Sequence, residues 1–189
     1  MEDLHRSLAN LNQCLDWIRD APIEEGALRM VVRRPAVDER DVLAEGVLDT
    51  GTGLVGDIWA SKGSSSTPDG GPDPRAQVTV VNWRAMLAVA GSEDRCALSG
   101  DQLYVDLDVS LANLPAGSLL SVGDAVIEVN AKPHKGCAKF GARFGPDALR
   151  FVNLGPGRQL RLRGINTSVV RSGVVRVGDR MVVERPSGS

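Results

Sequence analysis

The stretch Ala131–Phe144, AKPHKGCAKFGARF, holds one of the chain's three cysteines, one of its two histidines and three lysines, interrupted by glycines. A thiol among cations favours its ionised form. Lys132, Lys135 and Lys139 are therefore expected to lower the pKa of Cys137. If AKFGARF opens a helix, its free backbone N–H groups act in the same direction. A thiolate can attack an electrophile, carry sulfur or bind a soft metal. The plainer reading is a small buried hydrophobe, the commoner fate of a lone cysteine. His134 precedes Cys137 by three residues, close enough for both to reach one ligand. No second Cys/His pair follows, so a closed four-ligand zinc site is not expected.

The elements around this stretch are expected to be mainly β with short helices. Leu4, Leu8, Leu11, Leu15 and Ile18 form one stripe of a helical repeat, which predicts an amphipathic helix over Glu2 to Asp20 ending at Ala21-Pro22. Ala27 to Arg33 alternates, with Leu28, Met30 and Val32 on one face, and predicts a half-buried strand. Arg33, Arg34 and Arg40 then gather around a proline turn, where they could hold a phosphate or carboxylate or form a solvated rim. Leu43 to Trp59 is strand-like with glycine turns. SKGSSSTPDGGPDP, from Ser61 to Pro74, is polar and of low complexity and predicts a flexible loop.

Gln77 to Val81 predicts a short strand, and Trp83 to Ala90 a helix ended by Gly91. Tyr104 to Val109 alternates strictly and places Asp106 and Asp108 side by side on an outer face. Ser118–Val129 (SLLSVGDAVIEV) and Gly173–Glu184 (GVVRVGDRMVVE) echo one another. Each predicts a hairpin about a Val-Gly-Asp turn, since glycine supplies a positive φ. With a strand over Arg163 to Val170, they imply a small bent barrel or sandwich. Ala138 to Val152 connects them as helix, with Asp147 at the start of its second half.

The 189 residues suit one domain with an appendage, here a helix over 1–20 and a barrel over 21–185 carrying the loop at 61–74. Hydrophobic residues make up 42% and charged residues 24%, values of an ordinary globular protein. No apolar run suggests a membrane span or a secretory leader. Three widely spaced cysteines give no disulfide framework, and a reducing cytoplasm is the default location. The formal charge of −2 hides an asymmetry: from Ala131 onward twelve Lys and Arg face three Asp and Glu. That third could concentrate an anionic ligand, or its cations could simply be matched by the acidic remainder of the molecule. Aromatic residues are only 4% and the chain is acidic overall, so nucleic acid is not an expected partner.

Taken together, the cysteine after a Pro-x-x-Gly turn, Gly100-Asp101-Gln102-Leu103, Arg163-Gly164-Ile165 and the closing Val-Arg-Val-Gly-Asp resemble the MOSC domain, named for the C-terminal domain of molybdenum cofactor sulfurases. The resemblance covers roughly Ala21 to Glu184. It implies a distorted β-barrel in which one cysteine, here matching Cys137, carries sulfur or ligates molybdenum in a pterin cofactor. Asp101 and Gln102 match a segment that lines the same cleft. Some members reduce N-hydroxylated bases and amidoximes. Full-length sulfurases bind pyridoxal phosphate on a separate domain, for which this sequence has no counterpart. The residues themselves agree: a thiolate suits a soft molybdenum, and a phosphate-bearing pterin suits the basic third. Lys132, His134, Lys135, Arg161 and Arg163 are the candidates to hold that anion.

Three functions are therefore expected in competition. The first is reduction of a small N–O substrate with molybdenum on Cys137 and an electron-donor protein. The second is a persulfide carrier serving a sulfur-transfer partner. The third is a non-enzymatic module binding an anion or partner.

Overall fold

The structure, a computed structural model, describes residues 5–64 and 66–187. Helices α1 (Leu8–Asn12) and α2 (Leu15–Arg19) come first. Strands β1 (Glu25–Arg33), β2 (Asp41–Leu43), β3 (Glu45–Asp49) and β4 (Gly53–Leu54) follow. Next are β5 (Val78–Asn82), α3 (Trp83–Ala90), α4 (Glu93–Cys96) and β6 (Leu103–Val105). The last stretch runs β7 (Leu119–Val122), β8 (Ala125–Pro133), α5 (Ala138–Phe144), α6 (Pro146–Asn153), α7 (Pro156–Gln159), β9 (Ile165–Arg171), β10 (Gly173–Arg176) and β11 (Arg180–Glu184).

The expected barrel is present. Strands run in the order β11-β7-β8-β9-β5-β6-β1, and pairing of β1 with β11 closes the ring. Among the described residues only β5 and β6 pair in parallel; β2 hangs on β1, and β10-β3-β4 form a small separate sheet. Inside the barrel lie Leu28, Val31, Val78, Val80, Leu103, Val105, Leu120, Ile127, Ile165 and Met181. The β-branched residues among them suit a pleated, buried surface. A second core lies between the barrel's outer face and the helices and includes Leu11, Ile18, Val81, Met86, Tyr104, Phe140, Phe144 and Phe151. Burying Phe140 and Phe144 contributes roughly 1.5–3 kcal/mol each and fixes α5. Among the described residues no helix is long and apolar enough to cross a membrane.

Several elements differ from the sequence expectation. Glu2 to Leu4 lie outside the described residues. The remaining N-terminal helix is two, because the chain tightens at Cys14, whose N–H donates to Leu11 O rather than one residue further back. The stripe nevertheless works as read: Leu8, Leu11, Leu15 and Ile18 all pack on the second core. In β1 the register shifts between Leu28 and Met30. Leu28 therefore enters the barrel while Met30 and Val32 face the helices, so the three do not share a side. The strand expected over Tyr104 to Val109 ends at Val105. Asp106 bonds Arg84, and Asp108 accepts from the N–H and hydroxyl of Ser110.

The two Val-Gly-Asp echoes also diverge. The first is the β7–β8 hairpin, with Val122 opposite Ala125 across Gly123-Asp124. The second is no hairpin: β10 pairs with β3, whereas β11 pairs with β7 and β1. The same turn chemistry there, with Gly178 at φ 97°, passes the chain from the small sheet to the barrel. The Ser61–Pro74 segment closes on itself, with Ser64 N–H donating to Gly70 O and Thr67 Oγ1 to Gly71 O.

Candidate functional site

Cys137 ends the turn between β8 and α5. It is the N-cap residue of α5, in extended conformation, and its side chain is exposed. What holds the turn is Asn153 at the end of α6. Its Oδ1 accepts from Gly136 N–H at 2.9 Å and its Nδ2 donates to Gly136 O at 3.1 Å. A Cβ at 136 would meet the side-chain ends of Leu149, Val152 and Asn153 at 2.9 to 3.1 Å, so the turn lies tightly on α6. Nothing in the sequence marked Asn153, because the spacing of seventeen residues is bridged only by the fold of α5 on α6.

Partial burial opposes ionisation of Cys137. The N–H groups of Phe140 and Lys139 and the charge of Arg163 outweigh it, and the thiol pKa lies below its ordinary value. The direction is the expected one, but the leading charge is Arg163 rather than the three lysines. Lys132 Nζ is bound to Asp73 at 2.6 Å, and Lys139 lies 3.6 Å from Asp38.

Arg163 follows α7 and points beneath α5, its guanidinium 5.0 Å from the Phe140 ring centre. It is buried and donates to both oxygens of fully buried Asp101 at 2.6 and 2.7 Å, and to Ser99 O at 3.0 Å. Ser99 Oγ bonds Asp101 and the Tyr104 hydroxyl. Burial works against the Asp101 carboxylate, yet Arg163 and Ser99 hold its pKa low. The same burial and the nearby Arg163 push the His134 imidazole down to about 3, so His134 is neutral at pH 7. Its Nδ1 lies 3.6 Å from Asp101 Oδ1, too far for a hydrogen bond. Gln102 accepts at Oε1 from Thr79 N–H and Oγ1 at 2.9 and 2.6 Å.

Beside this network opens a cleft of about 490 Å³, the size of a small-molecule site. Lys132, His134, Lys135 and Arg161 of the expected anion-binding set line it, together with Asn130, Asn153 and Arg158. Pro133, Val152, Ile165 and the half-exposed Leu111 supply apolar wall. Arg163, Asp101, Gln102 and Cys137 do not line it. The first two are its buried support, and Cys137 stands three residues beyond His134. Arg161 takes a left-handed backbone, φ 49°, and its Nη1 donates to Leu114 O. Arg158 was not singled out from the sequence, although the run GPGRQLRLR places it three residues before Arg161.

Among the described residues, four buried side-chain nitrogens lack a hydrogen-bond partner: Arg40 Nε, Gln102 Nε2, His134 Nδ1 and Arg163 Nε. Three of them belong to the network around Asp101. Arg40 lies next to Gly100, its Nη2 3.1 Å from where a Cβ would stand. Unpaired buried polar atoms are costly and uncommon in a packed interior. No group of three His, Cys, Asp or Glu side chains able to hold a metal occurs among the described residues. A metal could therefore gain from this chain the single thiolate of Cys137, not a protein-only cage.

The sequence profile of the MOSC domain matches residues 74–182, more than half of the chain. Among curated proteins none matches. Among solved structures, the YUAD protein from Bacillus subtilis is similar at a TM-score of 0.65 and 18% identity, over 84% of this chain and 95% of that one. YiiM from Escherichia coli is similar at 0.55 and 17%, over 86% and 72%. YiiM from Geobacillus stearothermophilus gives 0.51 and 13%, over 86% and 73%.

Proposed function

The chain belongs to the MOSC domain family, and from that premise we propose that it binds a molybdenum–pterin cofactor through Cys137 and reduces N-hydroxylated compounds. The observation that carries this reading is the exposed Cys137, its thiol pKa lowered, next to a cationic cleft of cofactor size. Cys137 would be the protein's ligand to the metal. Lys135, Arg158 and Arg161 would hold the cofactor phosphate, while the apolar wall of Val152, Ile165 and Leu111 would cover its ring. When bound, the molybdenum would supply two-electron reduction of an N–O bond, with electrons delivered by a redox partner. The chain's own part is to orient the group, hold the thiolate and keep its anion in place.

Molybdenum and phosphorus should be measured in protein from a host that makes the cofactor, beside the Cys137→Ser variant. About one molybdenum per chain, lost in the variant, is the expected result and leads to an assay on amidoximes. Metal in neither protein overturns the cofactor reading.

A second reading is favoured by one observation: Cys137 is exposed and stands outside the cleft lining. A thiolate so placed could accept a sulfane sulfur and pass it to a partner. Persulfide at Cys137 in metal-free protein, found by mass spectrometry, would favour it.

A further inference from the structure

A second group of cations gathers on the flank of α5. Arg34 is fully committed: it forks onto Asp57 at 2.7 and 2.8 Å and donates to Gly100 O at 3.1 Å. Arg143 donates to Leu98 O at 2.9 Å and to Asp38. Lys139 leans on the same Asp38. Arg40 is different. Among the described residues no carboxylate meets it, its Nε is buried without a partner, and the hydrogen bond found for it goes to the backbone carbonyl of Glu39. Glycine at position 100, φ 82°, leaves the space that the Arg40 head occupies. Burial first, then the charges of Arg143 and Arg34, push the Arg40 pKa down. The exposed carboxylate of Asp38 thus serves both Lys139 and Arg143, and among the described residues Arg40 is left without an ion pair.

A crowded guanidinium with a buried free N–H is stabilised by an anion it can grip with two parallel bonds. Lysine or a hydroxyl donor cannot supply that fork. We propose that Arg40, framed by Arg34, Arg143 and Lys139, binds the oxyanion group of a small-molecule ligand, a carboxylate or a phosphate. The site is separate from the cleft, since none of these four residues lines it. It adjoins the reactive end of the molecule through α5, which carries Lys139 and Arg143 and has Cys137 as its cap. The inference does not depend on a cofactor.

The test titrates inorganic phosphate into the full chain, prepared without molybdenum and labelled with 15N, and follows the Arg40 Nε–H and the Gly100 amide by NMR. A saturable shift at both is expected, not reproduced by chloride at equal ionic strength. Arg40→Gln should weaken binding at this site about tenfold, the scale of one charge-assisted pair. Arg158→Gln, in the cleft, should leave it unchanged. Arg40→Lys keeps the charge but loses the fork and should fall between, which also serves if the glutamine variant folds poorly. Shifts confined to Lys135, Arg158 and Arg161, or an Arg40 response that chloride reproduces, overturn the proposal.

Discussion

Cys96 and Cys137 carry the same thiol in opposite conditions. Cys96 is fully buried, its Sγ faces Ser92 O, and burial together with Glu93 pushes its pKa up to about 12. Cys137 is exposed and shifted below its ordinary 9.0. Iodoacetamide at pH 7 should therefore alkylate Cys137 first, leaving Cys96 unmodified until the protein unfolds; peptide mass spectrometry reads the order. Modification of Cys96 in the native state would contradict the packing of the second core. His134 makes a prediction of opposite character. Its folded pKa is depressed from 6.5 to about 3, so between those values the unfolded chain binds a proton that the native state refuses. Its contribution to stability is complete above pH 6.5 and is lost as pH falls toward 3. The loss is at most about 1.4 kcal/mol per pH unit, and shallower in practice because 17% of the side chain meets solvent. Asp101, also depressed, acts in the same direction. Urea midpoints measured from pH 7 to 4 should fall steeply in the native chain and less so in His134→Gln.

At the scale of elements, the turn that carries Cys137 depends on α6. Replacing Asn153 with Ala removes both bonds to Gly136 and leaves two partly buried backbone groups unpaired, a loss of roughly 1–3 kcal/mol. Denaturant unfolding should show that loss, and Cys137 alkylation should change rate as the turn loosens. A variant matching the native chain in both would remove Asn153 from the account. This dependence could not be read beforehand, since it joins residues that only tertiary packing brings together. What could be read was local. Gly91 ends α3 at φ 79°, as the sequence indicated, while the Asn82 cap, accepting from Ala85 N–H, was not singled out. The Gly123-Asp124 hairpin was legible for the same reason. Its echo at Gly178-Asp179 was not, because a turn motif fixes the bend and not the partner of the strand that leaves it. The bulge in β1 was hidden likewise: Arg29 breaks the alternation without any change in residue pattern. At the candidate site, the sequence named Cys137, His134, Lys132, Lys135, Arg161 and Arg163 as candidates, but it did not show that Arg163 lies buried on Asp101 while Lys135, Arg158 and Arg161 line the cleft.

In the whole molecule, the twelve basic residues from Ala131 onward divide into seven that are ion-paired, three that line the cleft, and Arg150 and Arg171, which do neither among the described residues. Lys132, Lys139, Arg143, Arg163, Arg176, Arg180 and Arg185 all pair with carboxylates from the acidic remainder. Lys135, Arg158 and Arg161 form no such pair among the described residues, and all three line the cleft. A chain with formal charge −2 thus brings three cations without ion pairs together at the cleft. That arrangement requires the barrel to be closed, because β1 brings Glu25 to Arg180 while also pairing with β6. Gly26 is where the closure is tightest. A Cβ there would lie 2.1 Å from Asp106 O and 2.9 Å from Leu107 Cβ, and Gly26 also pairs with Met181. Neither neighbour is a flexible side-chain end, so the strands themselves must part. Gly26→Ala should accordingly cost more than an ordinary surface change, about 3 kcal/mol or above, and should lower the thermal midpoint sharply. Because Glu24, Glu25 and Arg185 lie at the same seam, the variant should also exchange the amide protons of β11 faster than those of the β7–β8 hairpin. Uniform exchange across both would mean that the barrel opens elsewhere first.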